Sequence, residues 1–169
     1  ALSQLTLLRG STIVASTSAA GDGSFSFDGV PLAEGANAFD LVATDTAGNS
    51  TTRSQTFTRD GTAPTVGAAL QDDTGASASD GITREAAVAG STSDASGVVA
   101  LEAALDPAAA PVFSAVALLP DGSFVLTADQ LATLAGGALA DGSHTLRLRA
   151  TDAAGNTGIH EFTFTLDRS

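Results

Sequence analysis

The chain is written in short runs in which apolar and polar residues alternate. Phe25 and Phe27 alternate with serine, and Phe39, Leu41 and Ala43 take every second position of the next run. Leu146 and Leu148 alternate with Arg147 and Arg149, and Phe162, Phe164 and Leu166 alternate with threonine. A period of two with one apolar face marks an antiparallel strand buried on one side. Turn pairs break these runs: Asp22-Gly23, Gly48-Asn49, Asp121-Gly122, Asp141-Gly142 and Gly155-Asn156. Short strands at such spacing predict an all-β sandwich.

The pattern occurs twice. Leu41-Val-Ala-Thr-Asp45-Thr-Ala-Gly-Asn49 matches Leu148-Arg-Ala-Thr-Asp152-Ala-Ala-Gly-Asn156 at an offset of 152 − 45 = 107. Asp22-Gly-Ser-Phe25 matches Asp121-Gly-Ser-Phe124 at 121 − 22 = 99, so the second copy holds extra residues between these landmarks. An internal repeat of this size reads as tandem modules. The expected division is 1–60, a partial module holding only its C-terminal strands, and 61–169, a complete one. The first copy should begin well before residue 1. In the second copy strands are expected at 64–70, 84–90, 98–105, 112–118, 123–126, 143–151 and 158–166. A short helix is expected at 127–135, where Thr127 and Gln130 make a capping box and Gly136-Gly137 a stop. In the first copy strands are expected at 1–8, 12–18, 24–27, 37–44 and 51–59.

Strand order assigns each acid to a pole of its sandwich. In the second module the leading pole, where the chain arrives, should carry Asp94, Asp152 and Asn156, with Asp121 in a tight turn. The trailing pole should carry Asp72, Asp73, Asp80 and Asp167. The first module should present Glu34 and Asp60 at its own trailing pole, so the stretch Asp60-Gly61-Thr62-Ala63-Pro64 becomes a junction ringed by acids. Facing carboxylates repel unless neutralised. Calcium, which takes about six to eight oxygen ligands, suits this supply. The loop carrying Asp72, Asp73 and Asp80 is long for a sandwich connection, and an ion would order it. Asp45 and Asp152 have a second reading: each starts an Asx turn closed by Gly-Asn, which needs no metal.

Composition narrows the partners. Nineteen acids face seven bases, all arginine, for a net charge of −12. Such a chain repels nucleic acid and anionic membranes. There is no cysteine, so disulfides and thiolate chemistry are absent, and no apolar run is long enough to span a membrane. His144 and His160 are single residues on predicted strands, which fits sheet packing. Ser143 and His144 are neighbours on one strand and point to opposite faces, so they make no catalytic pair. No phosphate-binding or dinucleotide motif is present. The reading is non-enzymatic.

The Asp60-to-Pro64 junction and the Ala-Thr-Asp-x-Ala-Gly-Asn signature resemble the tandem bacterial immunoglobulin-like (Ig-like) repeats of very large surface adhesins, including biofilm-associated and RTX-type adhesins secreted by type I systems. The stretch from Leu70 to Thr83 resembles their loop after the first strand. The resemblance implies an extracellular, cell-surface location. It also implies calcium between adjacent repeats of one chain and a stiff stalk that spaces an adhesive tip from the cell. A rival reading is the protomer of an extracellular fibre, self-assembled by strand donation into the incomplete first module. A second rival is a polysaccharide-binding accessory module, which the few core-facing phenylalanines weigh against.

Overall fold

The alternating runs pair as antiparallel strands. The computed structural model describes residues 3–107 and 110–169, so the first two positions of the expected 1–8 strand lie outside the described residues. The chain divides into two units, Ala1–Gly61 and Thr62–Ser169.

In the N-terminal unit β1 (Gln4–Arg9), β2 (Thr12–Ser18), β3 (Gly35–Thr44) and β4 (Ser50–Arg59) make one sheet in the order β2-β1-β3-β4. Leu5 lies opposite Ala43 and Leu7 opposite Leu41, so the apolar residues of β1 and β3 share a face. Leu5 and Phe39 are buried on it. Asn37, also buried, satisfies its whole amide locally. Its Oδ1 accepts from the Ala33 N–H at 2.8 Å, and its Nδ2 donates to the Ala33 and Gly35 carbonyls, each at 2.8 Å. The expected strand at 24–27 does not form. Ser24 to Phe27 have no strand partner, and a lone extended segment cannot satisfy its backbone groups by pairing.

The C-terminal unit is a β-sandwich. β5 (Thr65–Leu70), β7 (Val88–Ser93) and β10 (Ser123–Leu126) form a sheet in the order β10-β7-β5. β6 (Ile82–Thr83), β8 (Val98–Leu105), β9 (Ser114–Val116), β11 (Gly142–Asp152) and β12 (Thr157–Leu166) form the other, in the order β6-β12-β11-β8-β9. The core lies between them: Val88 and Phe124 from one sheet meet Leu101, Leu146, Leu148, Phe164 and Leu166 from the other. Helix α1 (Ala128–Ala135) covers one side with Leu131, which is fully buried. Its N-terminus has the expected capping box, with Thr127 N–H donating to Gln130 Oε1 at 2.8 Å, and Gly136 ends it in the left-handed conformation.

The strand expected at 84–90 is displaced. Ile82 and Thr83 instead pair in parallel with the end of β12, in the opposite sheet from β5. Arg84 and Glu85 then turn the chain back: the Thr83 hydroxyl donates to the Asp72 carbonyl at 2.8 Å, and the Arg84 N–H donates to Thr74 Oγ1 at 2.9 Å. Pairing with β5 begins only at Val88, opposite Leu70. The crossover consumes residues whose apolar content alone resembles a strand.

Glycine is required where backbones approach. A Cβ at Gly158 would sit 1.9 Å from the Pro64 carbonyl oxygen. Only glycine lets the chain entering β5 lie against the start of β12.

Candidate metal-binding poles

The Ala-Thr-Asp-x-Ala-Gly-Asn signature builds the same turn twice. Asp152 Oδ1 accepts from the Ala154 N–H at 2.9 Å and the Asn156 N–H at 2.8 Å, and Oδ2 accepts from Asn156 Nδ2 at 2.8 Å. Asp45 repeats this with Ala47 and Asn49 at 2.9, 2.8 and 2.9 Å. Gly48 and Gly155 take positive φ, 88° and 92°, as such a turn requires. The Asn49 side chain, followed by its backbone N–H, holds the Asp45 carboxyl below its ordinary range. At Asp152 burial opposes ionisation, but the Asn156 side chain and the turn's N–H groups outweigh it and the carboxyl is also lowered. A depressed folded value means stabilisation that is present above the unfolded carboxyl range and lost as pH falls through the folded one.

The copies differ in burial. Asp45 is exposed, whereas Asp152 is 1% exposed. Beside Asp152 stands Asp94, and their carboxylate oxygens lie within 4.8 Å of each other. Asp94 takes its two bonds, from the Ser96 N–H at 2.7 Å and the Ser96 hydroxyl at 2.8 Å, on Oδ1 alone. The Ala153 N–H donates to the Gly97 carbonyl at 3.0 Å and ties the two loops together. Two carboxylates this close, one of them buried, repel unless a cation or proton lies between them. Oxygen donors with spare lone pairs suit a hard divalent cation such as calcium, so the donor set fits. Asn156 Nδ2, by donating to Asp152 Oδ2, orients that carboxylate.

The remaining candidates belong to both units. Glu34 is engaged inside the N-terminal unit: Oε1 accepts from the Gly61 N–H at 2.8 Å, and Oε2 lies 3.3 Å from Arg59 Nη1. It braces the chain where it leaves β4. Asp60 belongs to the same unit. In the C-terminal unit Asp73 and Asp80 accept from the successive backbone N–H groups of Gly81 and Ile82. Asp80 accepts from the Ile82 and Ser77 N–H groups at 3.1 and 3.0 Å, and the Ile82 bond leads in lowering its carboxyl. Asp73 Oδ2 accepts from the Gly81 N–H at 3.0 Å, while its buried Oδ1 has no hydrogen-bond partner. Asp72 contributes its backbone carbonyl to Thr83. Asp167 shares a polar cavity of about 400 Å³ with Thr74, Gly75 and Arg84. Its Oδ1 accepts from the Ser169 hydroxyl at 2.7 Å and N–H at 3.0 Å, and these bonds, with Arg84, lower its carboxyl.

Sequence reasoning missed one polar centre. His144 is buried, with Nδ1 at 2.6 Å from Asp106 Oδ2 and Nε2 at 2.8 Å from the Ala140 carbonyl. Both ring nitrogens face acceptors, an arrangement that favours the doubly protonated imidazolium over the neutral ring. Asp106, a non-glycine residue at φ 45°, also accepts from the Thr145 N–H at 2.7 Å. The available signal was the repeat itself, since 144 − 107 = 37: Asn37 likewise bonds the residue four places before it. Burial and the Arg168 charge push the His144 pKa down, but the Ala140 and Asp106 bonds and the Asp106 charge prevail, and the value is raised. A raised folded value gives stabilisation that is full below about pH 6.5 and lost as pH rises through the folded value. The thermal stability of the C-terminal unit should therefore fall as pH rises through this window. In His144→Ala, which strands the Ala140 carbonyl at a cost of about 1–3 kcal/mol, that pH dependence should vanish.

The sequence profile of a bacterial Ig-like domain family matches residues 60–168. No curated protein sequence matches the chain. Among solved structures, the chain is similar to a 1.5-MDa bacterial ice-binding adhesin studied for retention at the host cell surface, with TM-score 0.50, 16% identity, and 98% of this chain and 52% of that one covered. It is also similar to a tetra-tandem repeat from the extending region of a large adhesion protein, with TM-score 0.44, 25% identity and coverage of 99% and 42%. A third is a Ca²⁺-stabilised adhesin that helps an Antarctic bacterium reach out and bind ice, with TM-score 0.43, 20% identity and coverage of 98% and 40%. The chain thus spans about half or less of each of these structures.

Proposed function

The chain belongs to the bacterial Ig-like domain family, and from that membership we propose that it is a non-enzymatic structural repeat of a bacterial cell-surface adhesin. Its modules are proposed to be stiffened by calcium into a stalk that carries an adhesive tip away from the cell. The observation that carries the cation is the Asp94–Asp152 pair at the pole where β5 begins. A bound ion would supply charge neutralisation there. Asp94 and Asp152 would hold it, with Asn156 orienting Asp152.

Asp60 is proposed as a further ligand. It precedes Pro64 by four residues, a reach of about 14 Å at most, and Pro64 packs against Gly158 at this same pole. An ion sharing Asp60 with Asp94 and Asp152 would tie one repeat to the next. At the trailing pole the orphaned Asp73 Oδ1 beside Asp80 supports a second ion. Asp72 and Asp167 are proposed as its further ligands, and Arg84 already offsets part of the Asp167 charge. Glu34, committed to Arg59 and the Gly61 N–H, would act as a brace. The surroundings proposed are extracellular, and the partners are adjacent repeats of the same chain.

Small-angle scattering tests the stalk reading. Profiles with millimolar calcium and with excess chelator should differ, with the chelated chain sampling a broader distribution of sizes. Superposable profiles would remove the clamp.

A further inference from the structure

The two copies close the same loop with different side chains. By the offset of 107, Ala33, Glu34 and Asn37 correspond to Ala140, Asp141 and His144, since 140 − 33, 141 − 34 and 144 − 37 all equal 107. In each copy the acid accepts from a backbone N–H just beyond the last strand. Glu34 Oε1 takes the Gly61 N–H at 2.8 Å, and Asp141 Oδ2 takes the Arg168 N–H at 3.3 Å, again with 168 − 61 = 107. In each copy the alanine carbonyl is gripped from four residues downstream, by Asn37 Nδ2 at 2.8 Å and by His144 Nε2 at 2.8 Å. An amide keeps its donor at every pH, whereas an imidazole does not.

The exchange extends to a third position. Leu5 pairs with Ala43 as Leu101 pairs with Ala150, so the offset on this strand is 101 − 5 = 96, and Gly10 corresponds to Asp106. Both lie in the left-handed region, at φ 60° and 45°. Glycine adopts it freely, whereas aspartate there carries backbone strain. The Asp106 carboxylate fixes the position, accepting from the Thr145 N–H at 2.7 Å and lying 2.6 Å from His144 Nδ1. Asn37 is satisfied within its own loop and needs no acid at position 10.

The other charges around the ring come from three elements. Arg168, after β12, donates from Nη1 to the Leu139 carbonyl at 3.0 Å and to Asp141 Oδ1 at 3.1 Å. On β12 the Phe164 ring lies 5.6 Å from His144, and His160 stands four residues before it, 164 − 160 = 4. On β11 Arg147 pairs with Glu161 and Arg149 with Glu102, and strand alternation puts both arginines on the face opposite to His144. Helix α1 holds one charge, Asp129, exposed in its first turn.

We propose that His144 is a pH-operated clasp on the loop from Gly136 to Asp141, closed when the ring is protonated and open when it is neutral. A neutral ring keeps one N–H. The Asp106 carboxylate, a charged acceptor, retains it on Nδ1. Nε2 then turns a lone pair toward the Ala140 carbonyl oxygen, and two acceptors at 2.8 Å repel. The loop moves off and uncovers Leu139, which is 7% exposed within the core. The Arg168–Asp141 pair is half exposed and too weak to hold the loop closed by itself. Because the folded His144 value is raised, the clasp is full below about pH 6.5 and is lost as pH rises through that value.

Nuclear magnetic resonance of the whole chain from about pH 5 to pH 9 tests this, with the ring nitrogens of His144 and His160 followed separately. The Leu139 methyls and the Gly137 N–H, which donates to the Ala132 carbonyl at 2.9 Å, should follow His144. Protection of that amide, corrected for base-catalysed exchange, should fall about fivefold across the transition, as expected for one lost hydrogen bond. The neutral ring should carry its proton on Nδ1, and signals around Ala33 should stay constant. In the double variant Asp106→Gly, His144→Asn, which installs the residues of the first copy, the loop should stay closed throughout. Protection that ignores the His144 titration, or a neutral ring protonated on Nε2, would overturn the clasp, as would a double variant whose loop still opens with pH. The first two readings come from the native chain and stand even if the double variant does not fold. None of them involves a bound cation, so their failure is separable from failure of the calcium reading.

Discussion

Gly90→Val is expected to destabilise the C-terminal unit by about 3–5 kcal/mol, enough to unfold much of a marginally stable module. Gly90 lies in the middle strand of its sheet, opposite Ala68 on β5 and Phe124 on β10. An added Cβ would meet the Gly67 carbonyl oxygen at 2.1 Å and Phe124 Cζ at 2.5 Å. The first neighbour is backbone held in the β5–β7 ladder, and the second is a ring that is 1% exposed. Neither can yield without breaking pairing or opening the core. Gly67→Val is the control. A Cβ there meets nothing within 4 Å, and the position is exposed. Its effect should stay within about 0.5 kcal/mol, because valine suits an open strand position. Chemical denaturation followed by circular dichroism separates the two.

The second large effect compares the copies. Phe164→Ala should cost about 3–5 kcal/mol, since the ring is sealed between the two sheets and its removal leaves a cavity. Phe57→Ala, at the matching position, should cost about 1 kcal/mol or less, because half of that ring is already in water. Native-state hydrogen exchange reads the effects separately, at β11 for the first and β3 for the second. Equal costs would mean that the N-terminal sheet is covered in solution.

The architecture was legible because the alternation is regular and the repeat carries its own landmarks. Strand β8 at Val98–Leu105 and the helix with its Thr127–Gln130 box follow from local chemistry. What the sequence did not disclose depends on partners distant in the chain. Asp22-Gly-Ser-Phe25 and Asp121-Gly-Ser-Phe124 are locally identical, yet only the second leads into a strand, because β7 is there to pair with it. The displaced strand at 88–93 follows from Ile82 and Thr83 joining β12, a contact across more than eighty residues of chain. His144 looked like an isolated sheet residue until the fold brought Asp106 beside it. At the candidate site, the shared signature disclosed the turn of Asp45 and Asp152. Strand order set Asp94 and Asp152 at the same pole, whereas the burial that distinguishes Asp152 from Asp45 is specified by no local pattern.

The central claim is a calcium site built on Asp94 and Asp152, and calorimetric titration of the chain with calcium tests it most directly. Asp94→Asn is the informative variant, because an asparagine oxygen can still accept the Ser96 bonds that close the local turn. Saturable binding is expected for the native chain, weakened about tenfold or more in the variant as one carboxylate charge is lost. Absence of saturable binding, or equal affinity in the two proteins, would contradict it.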